Sequence, residues 1–204
     1  MNDLADHARR LRTLPPSCGP VRLVAVDGHA GSGKSTFAGR LAAALGGAPV
    51  LHLDDLATHE ELFDWTDRIR AQVLDPLSRG EPARYAPYDW TARLFGPPRT
   101  LDPAPVTLVE GVGAGRAAVR PFLAGLLWME GDSESSWERG RRRDGPGLSE
   151  FWDGWTVAER RHFADDPSAP FADVVVRQTP TGYVWLEGPR PTAGASRIIT
   201  DSEA

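Results

Sequence analysis

The chain reads as an α/β fold built on a mainly parallel sheet. Three observations carry that reading. Five short apolar runs recur along the chain, segments with helical spacing lie between them, and Gly and Pro mark the boundaries. The runs are almost continuously apolar rather than alternating, which suits strands covered on both faces, as the strands of a parallel sheet are.

The elements follow in order. Leu4, Ala8, Leu11 and Leu14 share one face of a short opening helix, which Pro15 and Pro16 break. The first strand is Val21 to Val26. A helix from Lys34 to Leu45 stops at Gly46-Gly47. The second strand is Val50 to Leu53. Thr58-His59-Glu60-Glu61 has the pattern of a capping box and predicts a helix with Leu62, Ile69, Val73 and Leu77 on one face, ending at Gly80. The stretch from Glu81 to Pro105 is proline-rich, irregular and long for a connection, and such loops are often functional. Val106 to Val109, Leu126 to Met129 and Val174 to Val176 supply three more strands. A flexible tail is expected from Gly188 to Ala204, rich in Gly, Pro, Ala and Ser.

Composition narrows the function. The 204 residues carry 23 basic and 28 acidic side chains, a net charge of −5, which argues against gripping nucleic acid by its phosphates. One cysteine excludes a disulfide framework and a Cys-rich zinc site. No run is apolar enough for a membrane span, and the polar N-terminus lacks a secretory pattern, so a cytoplasmic protein is expected. Of the 23 basic residues only one, Lys34, is lysine. In a chain this rich in arginine, position 34 stands out as needing a compact ammonium.

Lys34 lies in Gly28-His29-Ala30-Gly31-Ser32-Gly33-Lys34-Ser35, a full GxxxxGK[ST] match between a predicted strand and a predicted helix. Glycines allow the tight turn, and successive amides point at phosphate oxygens. The helix N-terminus adds partial positive charge. Lys34 bridges the outer phosphates, the Ser35 hydroxyl suits Mg²⁺, and Thr36 is a further phosphate contact. The fold class becomes a P-loop NTPase three-layer sandwich: a five-stranded sheet, helices on both faces, and a small lid at about 133–147. The core domain is expected at 21–187, with residues 1–20 as an N-terminal helix and linker.

The guanine-reading Asn-Lys-x-Asp element cannot occur, because the single lysine is already used. The Leu-Ser-Gly-Gly-Gln transporter signature is absent too. Small-molecule kinases remain, and they need a metal carboxylate, a base and mobile cations. Asp54-Asp55 stands at the carboxyl end of the second strand, where ligands of open α/β sheets gather, and Asp54 suits the base. Glu110 ends the third strand and suits Mg²⁺. Arg139, Arg141, Arg142 and Arg143 fit a lid, with Arg139 and Arg143 on one helical face.

The ordered set Val24 to Thr36, Asp54-Asp55, Tyr88-Asp89-Trp90, Val109-Glu110-Gly111 and Arg143-Asp144 resembles the uridine kinase and phosphoribulokinase-like P-loop kinases. The resemblance implies ATP or GTP as donor, Mg²⁺ as cofactor, and Asp54 as the base accepting the 5′-hydroxyl proton of a nucleoside. It implies Ser35 and Glu110 near the metal, Tyr88 and Trp90 lining the nucleoside pocket, and Asp64 on the ribose. Three positions depart from the family pattern. Arg93 stands where those kinases carry His, Asp55 where Ser is common, and Gly145-Pro146-Gly147 follows the Arg-Asp pair where Arg-Gly is usual. The expected activity is transfer of a γ-phosphoryl group to a small hydroxyl acceptor, uridine being the leading candidate. A sugar, vitamin or drug as acceptor stays open, as do a nucleotide-binding regulatory module and the oligomeric state. Trp65 is a further candidate for stacking near the acceptor, whereas Phe151, Trp152, Trp155 and Phe163 read as packing.

Overall fold

The computed structural model describes residues 4–189. Most of the expected tail, residues 190–204, lies outside the described residues. In chain order the main elements are α1 (Leu4–Leu11), β1 (Arg22–Asp27), α2 (Lys34–Ala44), β2 (Val50–His52), α3 (Thr66–Ile69), α4 (Asp75–Ser78), β3 (Ala83–Tyr85), β4 (Tyr88–Asp89), β5 (Leu94–Phe95), β6 (Arg99–Leu101), β7 (Val106–Glu110), β8 (Leu123–Met129), α5 (Ser133–Asp144), α6 (Ser149–Asp165), β9 (Val174–Thr179) and β10 (Gly182–Glu187).

The central sheet has the order β10-β9-β8-β1-β7-β2. All neighbours are parallel except the β9–β10 hairpin. The five expected strands are present, and a sixth, β10, extends the sheet. Only Trp185 among its residues is deeply buried, and Val184 and Glu187 are exposed. Tyr183-Val184-Trp185-Leu186 is itself an apolar run, joined to β9 by the short turn at Pro180-Thr181.

The sheet divides the core in two. On one face Leu23, Ala25, Leu51, Val109 and Leu126 pack with Trp65, Ile69 and Val73. On the other, Val24, Val26, Leu108 and Leu127 pack against Phe37 and Leu41 of α2 and Ala8 and Leu11 of α1. β1 sits at the centre with five of its six residues buried, so successive side chains feed opposite cores. Among the described residues no helix is long and apolar enough to cross a membrane.

The helix expected from Thr58 starts instead at Thr66. The Thr58 hydroxyl accepts the Glu61 amide at 2.9 Å, as a capping box would, but the bond closes a turn. The following segment is pinned by Arg116, whose guanidinium donates to Phe63 O at 2.7 Å and to the Thr66 hydroxyl, and lies 4.0 Å from the Trp65 ring centre. A long-range contact overrides the local signal. Between α3 and α4 the chain widens into a π turn, with the Asp75 amide bonding Arg70 O five residues back. Pro76 lacks the amide that a regular helix would use there.

The Glu81–Pro105 stretch is more ordered than its sequence suggests. It folds into two small antiparallel ribbons, β3 with β6 and β4 with β5. Asp89 Oδ1 accepts the amides of Thr91 and Ala92 at 2.9 and 2.8 Å, and Arg93 takes φ +57° to complete the turn. The result presents Trp90, whose indole N–H donates to Asp54 O at 3.0 Å.

His162 of α6 gives the fold a measurable acid response. It stacks on Phe63 at 4.8 Å and sits 3.3 Å from the Arg116 guanidinium. Burial, and then the Arg116 charge, hold its pKa down at about 4 against an ordinary 6.5. Between those values the unfolded chain binds a proton that the folded chain refuses, so stability is lost as pH falls through the window. The contribution is at most about 3 kcal/mol. Denaturant unfolding from pH 6.5 to 4 should show a shallower decline for His162→Gln than for the parent. Equal slopes would remove His162 as the cause.

Candidate active site

The site grows from the end of β1. Asp27 is fully buried, and its carboxylate accepts the amides of Gly28, Gly113 and Gly115 at 2.7, 2.9 and 2.8 Å. These bonds tie the entrance of the phosphate loop to the turn after β7. Gly31 and Gly33 take φ of +80° and +94°, a region costly for residues with a Cβ. The loop then enters α2, whose first amides lack partners within the helix and face the cleft with a partial positive charge. Lys34 is buried, and its ammonium donates to His29 O at 2.9 Å.

The acidic edge is a product of strand order. Because β7 lies between β1 and β2, the carboxyl ends of all three strands meet beside the loop. His52 is in register with Glu110, and its Nδ1 is 2.5 Å from Glu110 Oε1. Burial would raise the Glu110 pKa, but His52, Lys34 and the Ser35 hydroxyl outweigh it and hold the carboxyl below its usual range. The imidazole of His52 is raised in return, first by its bond to Glu110. Asp54, which opens to the cleft, behaves oppositely. The surrounding protein, then the charge of Glu110, push its carboxyl above the usual range, against Lys34 and His52. Two neighbouring carboxylates are thus driven apart, an ionised one suited to a cation and a more basic one suited to a proton.

A cleft of about 510 Å³ opens over these groups. Lys34, Ser35, Thr36, Asp54 and Glu110 line it, together with Ala30, Gly31 and Gly33 of the loop. α5 covers one side and brings in Arg139 and Arg143. Arg139 Nε donates to Gly31 O at 3.2 Å, and Arg143 is held in a fork by Asp144 at 2.6 and 2.9 Å. α5 crosses α6 so closely that a Cβ on Gly140 would lie 2.2 Å from the Trp152 ring. The remaining wall is aromatic. Trp90 lies 4.8 Å from the His59 ring and 5.8 Å from Phe151, which is 5.8 Å from Trp155.

Several expected site residues stand elsewhere. Gly28, His29 and Ser32 do not line the cleft. The His29 ring turns the other way, among Trp128, Trp137 and Phe163, and Ser32 is buried. Tyr88 is buried behind the wall, with its hydroxyl 3.0 Å from His59 Nδ1. Asp55 faces the β3–β6 ribbon, 3.7 Å from Arg99, and Asp64 is exposed outside the cleft. Arg93 points to Glu60 at 3.5 Å. Trp65 belongs to the core. Conversely, Phe151, Trp152 and Trp155, read from sequence as packing, also line the cleft, and His59, Thr91, Asp144 and Leu148 join them. His59 had a local signal in its place just past the acidic turn, whereas the α6 residues had none beyond helical spacing.

The donor set fits Mg²⁺. A hydroxyl from Ser35 and a carboxylate from Glu110 are hard oxygens, and this ion takes one or two protein ligands beside phosphate and water. Among the described residues no three His, Cys, Asp or Glu side chains form a cluster able to hold a metal alone.

No known family model matches the chain, and no curated protein matches it. Solved structures do. One is described as a "Possible Uridine Kinase" from Bacillus stearothermophilus, 20% identical, with a TM-score of 0.59 over 84% of this chain and 98% of that one. Another is described as a "putative fructose transport system kinase" from Silicibacter sp. TM1040, 19% identical, with a TM-score of 0.56 over 82% and 91%. The chain shares its fold with both, a mostly parallel sheet flanked by helices.

The contact between α5 and the loop makes a sharp demand on Gly31. A Cβ there would lie 2.0 Å from Ser136 O, on a residue already at φ +80°. Gly31→Ala should lower stability by about 2–4 kcal/mol, read as a fall in thermal midpoint. An unchanged midpoint would mean that α5 does not rest on the loop.

Proposed function

We propose that this chain is a small-molecule kinase, an ATP-dependent phosphotransferase moving the γ-phosphoryl group to a hydroxyl of a small acceptor. The observation that carries the reading is the convergence, in one cleft, of the phosphate loop, the carboxylates of Asp54 and Glu110 and two lid guanidinium groups. The loop amides and Lys34 grip the phosphates. Ser35 and Glu110 would hold Mg²⁺, which neutralises charge on the phosphate oxygens. Asp54 accepts the proton of the attacking hydroxyl, a role that its raised pKa favours. Arg139 and Arg143 stabilise the charge on the transferring group. The Arg143–Asp144 pair keeps that guanidinium extended, and the pair opens as phosphate competes for it.

The wall beyond Asp54 favours an acceptor with a flat face. Trp90, Phe151 and Trp155 offer ring surface, and His59 and Thr91 offer polar atoms. A nucleoside such as uridine fits this description and is the first acceptor to try. A sugar is the next, since the descriptions of the two similar structures name a nucleoside kinase and a fructose-system kinase. A cleft with a separate wall for an acceptor favours an enzyme over a module that only senses nucleotide.

ADP release from MgATP should rise when the correct hydroxyl compound is added, in a screen of uridine, cytidine, sugars and pantothenate. Asp54→Asn should cut the stimulated turnover by on the order of 10²–10⁴ while MgADP still binds. Turnover unaffected by the substitution would reject Asp54 as the base, and a screen with no stimulating acceptor would count against the kinase reading.

A further inference from the structure

Glu159 of α6 takes no part in the chemistry proposed above, yet it is fully buried. A buried carboxylate is costly unless its oxygens are satisfied. Here they are. His29 Nδ1 lies 2.8 Å from Oε1, the Ala30 amide donates at 3.2 and 3.4 Å, and the Trp155 indole N–H donates to Oε2 at 2.7 Å. Two of the three donors belong to the phosphate loop, and the third belongs to the aromatic wall of the cleft.

The amide of Ala30 and the carbonyl of His29 are two sides of one planar peptide. In a trans peptide they point in opposite directions. The amide points out to Glu159, and the carbonyl points in to the Lys34 ammonium at 2.9 Å. Fixing one side of the plane therefore fixes the other. We propose that Glu159 is a positioning residue: it sets the His29–Ala30 peptide, and through it the Lys34 ammonium, and links both to the cleft wall by way of Trp155. Nucleotide affinity then depends on a residue that stands behind the loop, and on the indole N–H of a residue in the wall. The inference rests on the nucleotide-binding reading above and adds to it a connection between the two halves of the cleft.

Calorimetric titration of the full chain with MgADP tests it, with thermal midpoints measured in parallel. Glu159→Gln keeps the shape but loses the charge that the three donors share, and should weaken MgADP about tenfold. Trp155→Phe keeps an aromatic ring in the wall but removes the N–H together with part of the indole, and should weaken it about threefold in the same direction. A lowered midpoint with parental MgADP affinity in both variants would show a merely structural carboxylate and overturn the proposal. If Glu159→Gln does not fold, Trp155→Phe decides alone. Failure of the parent chain to bind MgADP would remove the nucleotide reading itself, and this inference with it.

Discussion

Four carboxylates share one ammonium. Lys34 acts electrostatically on Asp27, Asp54, Glu110 and Glu159, lowering the pKa of each relative to what burial alone would give. This one cation lets acidic groups gather behind, beside and beneath the phosphate loop without repelling it out of shape. It also explains why the chain's only lysine is here. A guanidinium is a broad planar fork, whereas the buried Lys34 ammonium is compact and fits against a single carbonyl. Strand order does the rest, since placing β7 between β1 and β2 delivers Glu110 and Asp54 to the side of the loop.

The four carboxylates are not equivalent, and the difference follows from their donors. Glu110 and Glu159 have strong hydrogen-bond partners in His52, His29 and Trp155, which favour the ionised form over the penalty of burial. Asp27 is raised by burial although Ser168, the amides of Gly115 and Gly28 and the Lys34 charge pull it down, and with three amides on its carboxylate its work is to clamp backbone and not to exchange protons with the cleft. Asp54 is raised too, but it opens to the cleft, where on the proposed reading it meets the proton of the acceptor hydroxyl. Division of labour among like groups is thus set by what surrounds each one.

What could be read from the sequence follows from how local each signal is. The phosphate loop is contiguous, its glycines are demanded by positive φ, and its lysine is unique, so pattern and chemistry coincide. The inner strands are legible for a similar reason, since burial on both faces leaves continuous apolar runs. Asp54 and Glu110 were legible because strand ends of a parallel sheet share an edge. The acceptor side was not. Trp90 reaches the cleft, but Tyr88, whose ring lies 5.3 Å from that of Trp90, is buried behind it with its hydroxyl on His59. Asp64 sits outside the cleft because Arg116 draws the Phe63–Thr66 backbone away from helix. Glu159 carries no motif at all, since its partners are 130 residues distant at His29 and four distant at Trp155.

The same contrast bears on where specificity resides. Donor-side groups come from strand ends and the loop, which the double core holds rigid. The α6 part of the aromatic wall rests on a third cluster around Val112, Trp137, Trp152 and Trp155, whereas Trp90 of the ribbon packs against the first core. On the proposed reading, the part of the wall that rests on its own small core can change side chains with little effect on the sheet, which ties acceptor choice less closely to the fold than phosphate handling. The bonds that do cross from α6 to the loop run from Glu159 to His29 and Ala30, and a buried charge that cannot be solvated elsewhere keeps its partners in place.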